Sequence, residues 1–144
     1  MSSPLLLSIV EIGGYPDFSA LYRQLGFTLE RADSMRKASK LLKKIRPSVV
    51  VAEFNFQSDF RDRTSSLETL MATVQRIPGC RVIVFYEQEQ RPQLERLLAV
   101  FDVHATIAFP IDESILNNVL DNALVNDRVD DRGDDLGNVQ EPVI

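Results

Sequence analysis

Two carboxylates and an amide are spaced along this chain so that they would meet at one edge of a sheet. Glu11 closes the first apolar run, Glu53 closes the run Val49-Val50-Val51-Ala52, and Asn55 stands two places further on. Such oxygen donors, completed by several waters, are weak Mg²⁺ ligands, because this ion favours a near-octahedral oxygen shell. Tyr86 follows Val82-Ile83-Val84-Phe85, and Phe109-Pro110 follows Ala105-Thr106-Ile107-Ala108, so both would emerge at the same edge. Open α/β folds bind ligands outside the carboxyl ends of their strands, at the point where the strand order reverses. A small ligand-binding domain or enzyme would there use Glu11, Gly13, Glu53, Asn55 and Tyr86.

Other chemistry is sparse. Gly13-Gly14 follows the first apolar run, but no Gly-rich phosphate-binding motif is completed around it. His104 is the sole histidine, with no serine or cysteine nucleophile in a recognisable motif to serve. Cys80 is the sole cysteine, so neither an intrachain disulfide nor a cysteine metal cluster can form; at the head of an apolar run it is expected to pack. No enzymatic activity and no firmly bound cofactor are expected, a weak Mg²⁺ site at Glu11, Glu53 and Asn55 aside.

The elements that must position these residues alternate five times between apolar runs and helical periodicity, the pattern of a parallel sheet covered on both faces. Strand one runs from Leu5 to Glu11, and Phe18, Leu21, Tyr22 and Leu25 mark the first helix, which Gly26 ends. Phe27 to Ala32 alternates as an edge strand does. Asp33 or Ser34 caps a second helix with Met35, Ala38, Leu41, Leu42 and Ile45 inward, and Pro47 stops it. Ser65-Ser66-Leu67-Glu68 reads as a capping box for a third helix carrying Leu67, Leu70, Met71 and Val74. Leu94, Leu97, Leu98 and Phe101 give the fourth helix its stripe. Asp112 caps the fifth, in which Ile115, Val119, Leu120, Ala123 and Leu124 are expected to face the core.

At 144 residues and 44% hydrophobic content the chain suits one domain. We expect residues 1–127 to form it and 128–144 to be an acidic, disordered tail, since the latter hold five acids and two arginines, a net of −3. Arg132-Gly133-Asp134 within it matches an adhesion tripeptide by letters only. No apolar run reaches the roughly 20 residues of a membrane span and no basic leader precedes Leu5-Leu6-Leu7, so a cytoplasmic location is expected. The overall charge of −5 argues against nucleic acid as a partner. Arg36, Lys37, Lys40, Lys43, Lys44 and Arg46 crowd the second helix; the ordinary reading is a solvated face, the other a contact for nucleic acid or an acidic protein.

Five such units in this length point to a flavodoxin-like three-layer sandwich with a five-stranded parallel sheet of order 2-1-3-4-5. Ser48-Val49-Val50-Val51-Ala52-Glu53-Phe54-Asn55 resembles the third strand of response-regulator receiver domains (CheY-like), which ends in a phospho-accepting aspartate with an Asn often two places later. Phe109-Pro110-Ile111-Asp112 is similar to their Lys-Pro-Phe-Asp segment, whose Lys-Pro bond is cis, so a cis Phe109-Pro110 bond is expected. The resemblance covers about residues 4 to 125.

Its departures fall on the residues that make the family active. Where the family carries an acidic pair for Mg²⁺ after strand one, Glu11 is followed by Ile12. Glu53 at the acceptor position is a methylene longer than Asp, and displacing an attacking atom by about 1 Å can cost about a hundredfold. Tyr86 stands where the family uses Thr or Ser, and Phe109 replaces the Lys that pairs with phosphoryl oxygens. The resemblance therefore implies a stand-alone pseudo-receiver for signal transduction that acts through protein contact. In receivers the face of helix four, strand five and helix five carries partner or dimer contacts; here Val100, Val103 and Ile111 lie near its loops and are the expected interface of a homodimer or adaptor. Tyr86 and Phe109 are expected to plug the crevice beside Glu53, which is expected either solvated at the sheet edge or partly buried near Phe109, where desolvation would raise its pKa.

Overall fold

A strand with no polar face belongs in the middle of a sheet covered on both sides. β1 (Leu5–Ile9), β3 (Val49–Glu53) and β4 (Arg81–Tyr86) are such strands, buried throughout apart from the first residue of β1 and of β4. β2 (Thr28–Ala32) and β5 (Ala105–Ala108) are only partly buried. The structure is a computed structural model that describes residues 4–10, 17–54 and 67–132. In it the strands form one parallel sheet of order β2-β1-β3-β4-β5, as the sequence predicts, with the half-exposed strands at the edges.

The period of two along each central strand divides the core into two layers. Leu7, Ile9, Val50, Ala52, Val82 and Val84 face one way, toward α2 (Met35–Leu41), α3 (Leu67–Val74) and α4 (Arg91–Leu98). Leu6, Val49, Val51, Ile83 and Phe85 face the other, toward α1 (Ser19–Gln24) and α5 (Glu113–Arg132). Right-handed crossovers put α1 on one face and, once the chain reverses direction after β2, α2, α3 and α4 together on the other.

Local signals set the helix ends. Ser34 Oγ accepts from the Lys37 N–H at 3.1 Å, so Ser34, of the two cap candidates, caps α2. Gly26 follows α1 with φ 95°, a left-handed conformation that suits glycine at a helix end. At α5, Asp112 Oδ1 accepts from the Ser114 N–H at 2.9 Å and from its hydroxyl at 2.7 Å. Ser65 and Ser66, the expected cap of α3, lie outside the described residues.

The inward stripe of α5 differs from the expected one. Leu116, Leu120 and Ala123 are buried, with Val119 and Leu124 partly so, whereas Ile115 is 49% exposed. Two apolar stripes one residue apart overlap on this helix, and packing against Ile107 and Phe85 selects the one through Leu116 and Leu120. Each of those leucines contributes about 1.5–3 kcal/mol by burial. Helical backbone continues to Arg132, past residue 127 where the domain was expected to end. No helix among the described residues is long and apolar enough to cross a membrane.

Candidate functional site

Glu53 ends β3 opposite Phe85, and the next N–H, of Phe54, donates to the Phe85 carbonyl at 2.8 Å. The continuous β3–β4 ladder thus carries the carboxylate to the sheet edge while keeping it 3% exposed. Beside it lies a cavity of about 210 Å³ lined by Ser8, Asp17, Tyr22, Arg31, Phe85 and others. Phe18 and Phe85 meet edge to face across its wall, ring centroids 6.1 Å apart. Small-molecule sites usually occupy about 300–1,000 Å³, so the volume is small for a ligand pocket.

Among the polar groups lining this cavity, Asp17 is engaged with the helix start beside it. Asp17 Oδ1 accepts from the Ser19 hydroxyl at 2.6 Å and its N–H at 3.0 Å, and these bonds hold the carboxyl below its ordinary pKa. Burial, with a lesser contribution from the Asp17 charge, drives the Tyr22 phenol well above its ordinary value. Magnesium bound at the corresponding place in receivers needs several convergent oxygens. Of the donors expected there, Glu53 alone is described, buried beside the aromatic wall. Glu11 and Asn55, the other expected ligands, and Gly13 lie outside the described residues.

Tyr86 is not where a plug of the crevice would be. It ends β4, is buried, and packs in the layer of α2, α3 and α4, the opposite layer from Phe18 and Phe85. Its hydroxyl accepts from Arg91 Nη1 at 2.9 Å, and the guanidinium carbon stands 5.4 Å from its ring centroid. Arg91 Nε in turn pairs with Glu95 Oε2 at 2.9 Å, four residues along α4. Glu95 first and Tyr86 second hold the guanidinium in its charged form. Tyr86 is thereby fastened to the start of α4, and the phenyl wall of the cavity comes from Phe18 and Phe85 because adjacent strand residues point to opposite faces.

Phe109 extends the β4–β5 ladder, its N–H donating to the Tyr86 carbonyl at 2.8 Å, and packs partly buried against the layer of α1 and α5. The Phe109–Pro110 peptide is cis, as the resemblance implies. His104 lies at the opposite end of β5, where its Nε2 is 3.3 Å from the Val119 carbonyl of α5. It tethers strand to helix, remote from Glu53.

The expected contact face needs correction at Ile111. That side chain is 8% exposed and belongs to the α1–α5 core, since the chain turns inward there before entering α5. Val103 is partly buried against the other layer. Val100 is 66% exposed, and Ile115, which the sequence assigned to the core, is the other large apolar residue left outside among the described residues. Sequence reasoning also missed Arg91, five places after Tyr86 across a turn that no period spans. Asp17 was within reach of it, because Asp-x-Ser is a local capping pattern.

No family model matches the chain, and no curated protein matches it. Solved structures do. The signal receiver domain of an HD domain-containing protein from Pseudomonas fluorescens superposes with a TM-score of 0.69 at 16% identity, over 92% of this chain and 94% of that one. A response regulator from Thermotoga maritima gives 0.65 at 13% identity, over 85% and 98%. A LuxR-family DNA-binding response regulator from Staphylococcus aureus gives 0.63 at 18% identity, over 82% and 97%. The fold is that of CheY-like response-regulator receiver domains.

Proposed function

We propose that this chain is a pseudo-receiver, a signalling or adaptor domain that works by protein–protein contact without phosphorylation. The observation that carries the reading is the fastening of Tyr86. In receivers a small hydroxyl residue after strand four follows the phosphoryl group inward; here a bulky phenol, bonded to Arg91 at 2.9 Å, occupies that position. The neighbouring replacements agree with it. Glu53 is longer than aspartate and enclosed, and Phe109 offers no charge for a phosphoryl oxygen. A single carboxylate also lacks the charge and acceptor oxygens to imitate a phosphoryl group, so constant activation by Glu53 is not part of the proposal.

The contact surface of the proposal is the outer face of α4, β5 and α5, with Val100 and Ile115 as its exposed apolar residues. It serves either a second copy or a protein partner, and no catalytic residue or cofactor is assigned. Analytical ultracentrifugation with and without Mg²⁺ and acetyl phosphate tests both halves. Self-association should be indifferent to the phosphodonor and weakened by Val100→Glu or Ile115→Glu. Association that appears only with the phosphodonor would overturn phosphorylation independence, and association unchanged in both variants would remove this face.

A further inference from the structure

The basic second helix borders a groove that a merely solvated face does not require. An open cavity of about 560 Å³ lies between α2 and the carboxyl ends of β1 and β2. Among the described residues, Val10, Ala32 and Leu41 supply its apolar lining, and Arg31, Lys37, Lys40 and Lys44 its cations, against one carboxylate, that of Asp33. Lys37 and Asp33 pair at 3.0 Å, which shows that a carboxylate is already held at this rim. Lys40 and Lys44 form no ion pair with any described residue, and Arg31, which makes no direct ion pair with a described residue, has the Asp17 carboxylate as an electrostatic neighbour.

The cations are arranged in a line along the helix. Lys37, Lys40 and Lys44 follow at intervals of three and four, and the Lys44 N–H donates to the Leu41 carbonyl at 2.8 Å, continuing the helical turn beyond α2. At 1.5 Å rise per residue the row extends about 10 Å. Carboxylates spaced by three and four residues on a second helix repeat this row, and such a helix also brings an apolar edge to a lined floor. Lysines near a helix C-terminus do complement its dipole, but that role needs neither Arg31 from β2 nor the apolar lining.

We propose that this groove docks an acidic amphipathic helix of a partner protein, with carboxylates on Arg31, Lys40 and Lys44 and apolar side chains over Val10, Ala32 and Leu41. A nucleic acid fits it less well. Its phosphates would meet Asp33 at the rim and a chain of net charge −5, and they have no apolar edge for the floor. The groove lies beside β2, at the other end of the sheet from β5, so the proposal does not depend on the contact face assigned above.

The test is an amide NMR titration of the whole chain with a synthetic helical peptide of about three turns, bearing Glu at intervals of three and four and Leu on the adjoining edge. A peptide with Gln for Glu and a single-stranded DNA oligonucleotide are titrated alongside. We expect the Glu peptide to shift amides across 31–44, with affinity falling several-fold between roughly 50 and 200 mM salt. Lys40→Glu combined with Lys44→Glu should weaken it about tenfold or more, and Arg31→Glu alone about threefold. All three residues are exposed, so an unchanged spectrum elsewhere verifies the fold. Absence of shifts in 31–44, equal binding of the Gln peptide, undiminished binding by the variants, or binding of the oligonucleotide in place of the peptide would each overturn the proposal.

Discussion

Ile115 and Leu116 are neighbours on α5, yet the structure gives them opposite duties, and truncating each to alanine separates them. Leu116 is 0% exposed and lies with Ile107, Phe85 and Leu120 in the core. Its truncation removes buried methyl groups and leaves a cavity, a combined loss of about 2–5 kcal/mol. For a domain of this size each kcal/mol moves the melting temperature by roughly 3–5 °C, so a fall of roughly 6–25 °C is expected. Ile115 is 49% exposed, and its replacement should alter stability by no more than about 0.5 kcal/mol. Urea unfolding followed by circular dichroism reads both, with the midpoint shifting at constant slope. Equal losses would refute the assignment of the inward stripe and withdraw Ile115 from the contact face together with it.

Removing the hydroxyl of Tyr86 with Tyr86→Phe should cost about 0.5–1.5 kcal/mol in urea unfolding, the net value of one hydrogen bond. The same change should broaden the Arg91 side-chain resonances, and a spectrum in which Arg91 is undisturbed would deny the fastening. Tyr22 predicts the alkaline behaviour. Its folded pKa lies above the unfolded one, so its contribution is complete below about pH 10 and is lost as pH rises further toward the folded value. Thermal unfolding of the chain should therefore lose stability above about pH 10, and Tyr22→Phe should lessen that slope; an unchanged slope would assign it elsewhere.

Most of the fold was legible because its signals are local and repeated. Three uninterrupted apolar runs could only be central strands, and the half-polar segment after Gly26 could only be an edge. Crossover handedness and chain length then left few topologies. The misreadings came where two local patterns fitted equally. On α5 both the Ile115 and the Leu116 stripes satisfy helical spacing, and only the residues packed against the helix decide between them. Ile111 sits between strand and helix, where no period applies, so nothing local announced its burial. Tyr86 was recognised as a misfit at its position, but its destination was not, because the contact with Arg91 joins a strand end to a helix start. The small cavity at Glu53 likewise depends on Phe18 and Phe85, which approach from different elements.

The central claim is that the Glu53 corner no longer answers to a phosphoryl group. An amide NMR titration with Mg²⁺, followed by Mg²⁺ with beryllofluoride as a phosphoryl mimic, tests it most directly. The account predicts no saturable shifts at Glu53, Tyr86 or Phe109 in either step. Saturable shifts centred on Glu53 and passing through Tyr86 into α4 would contradict it and restore a working switch.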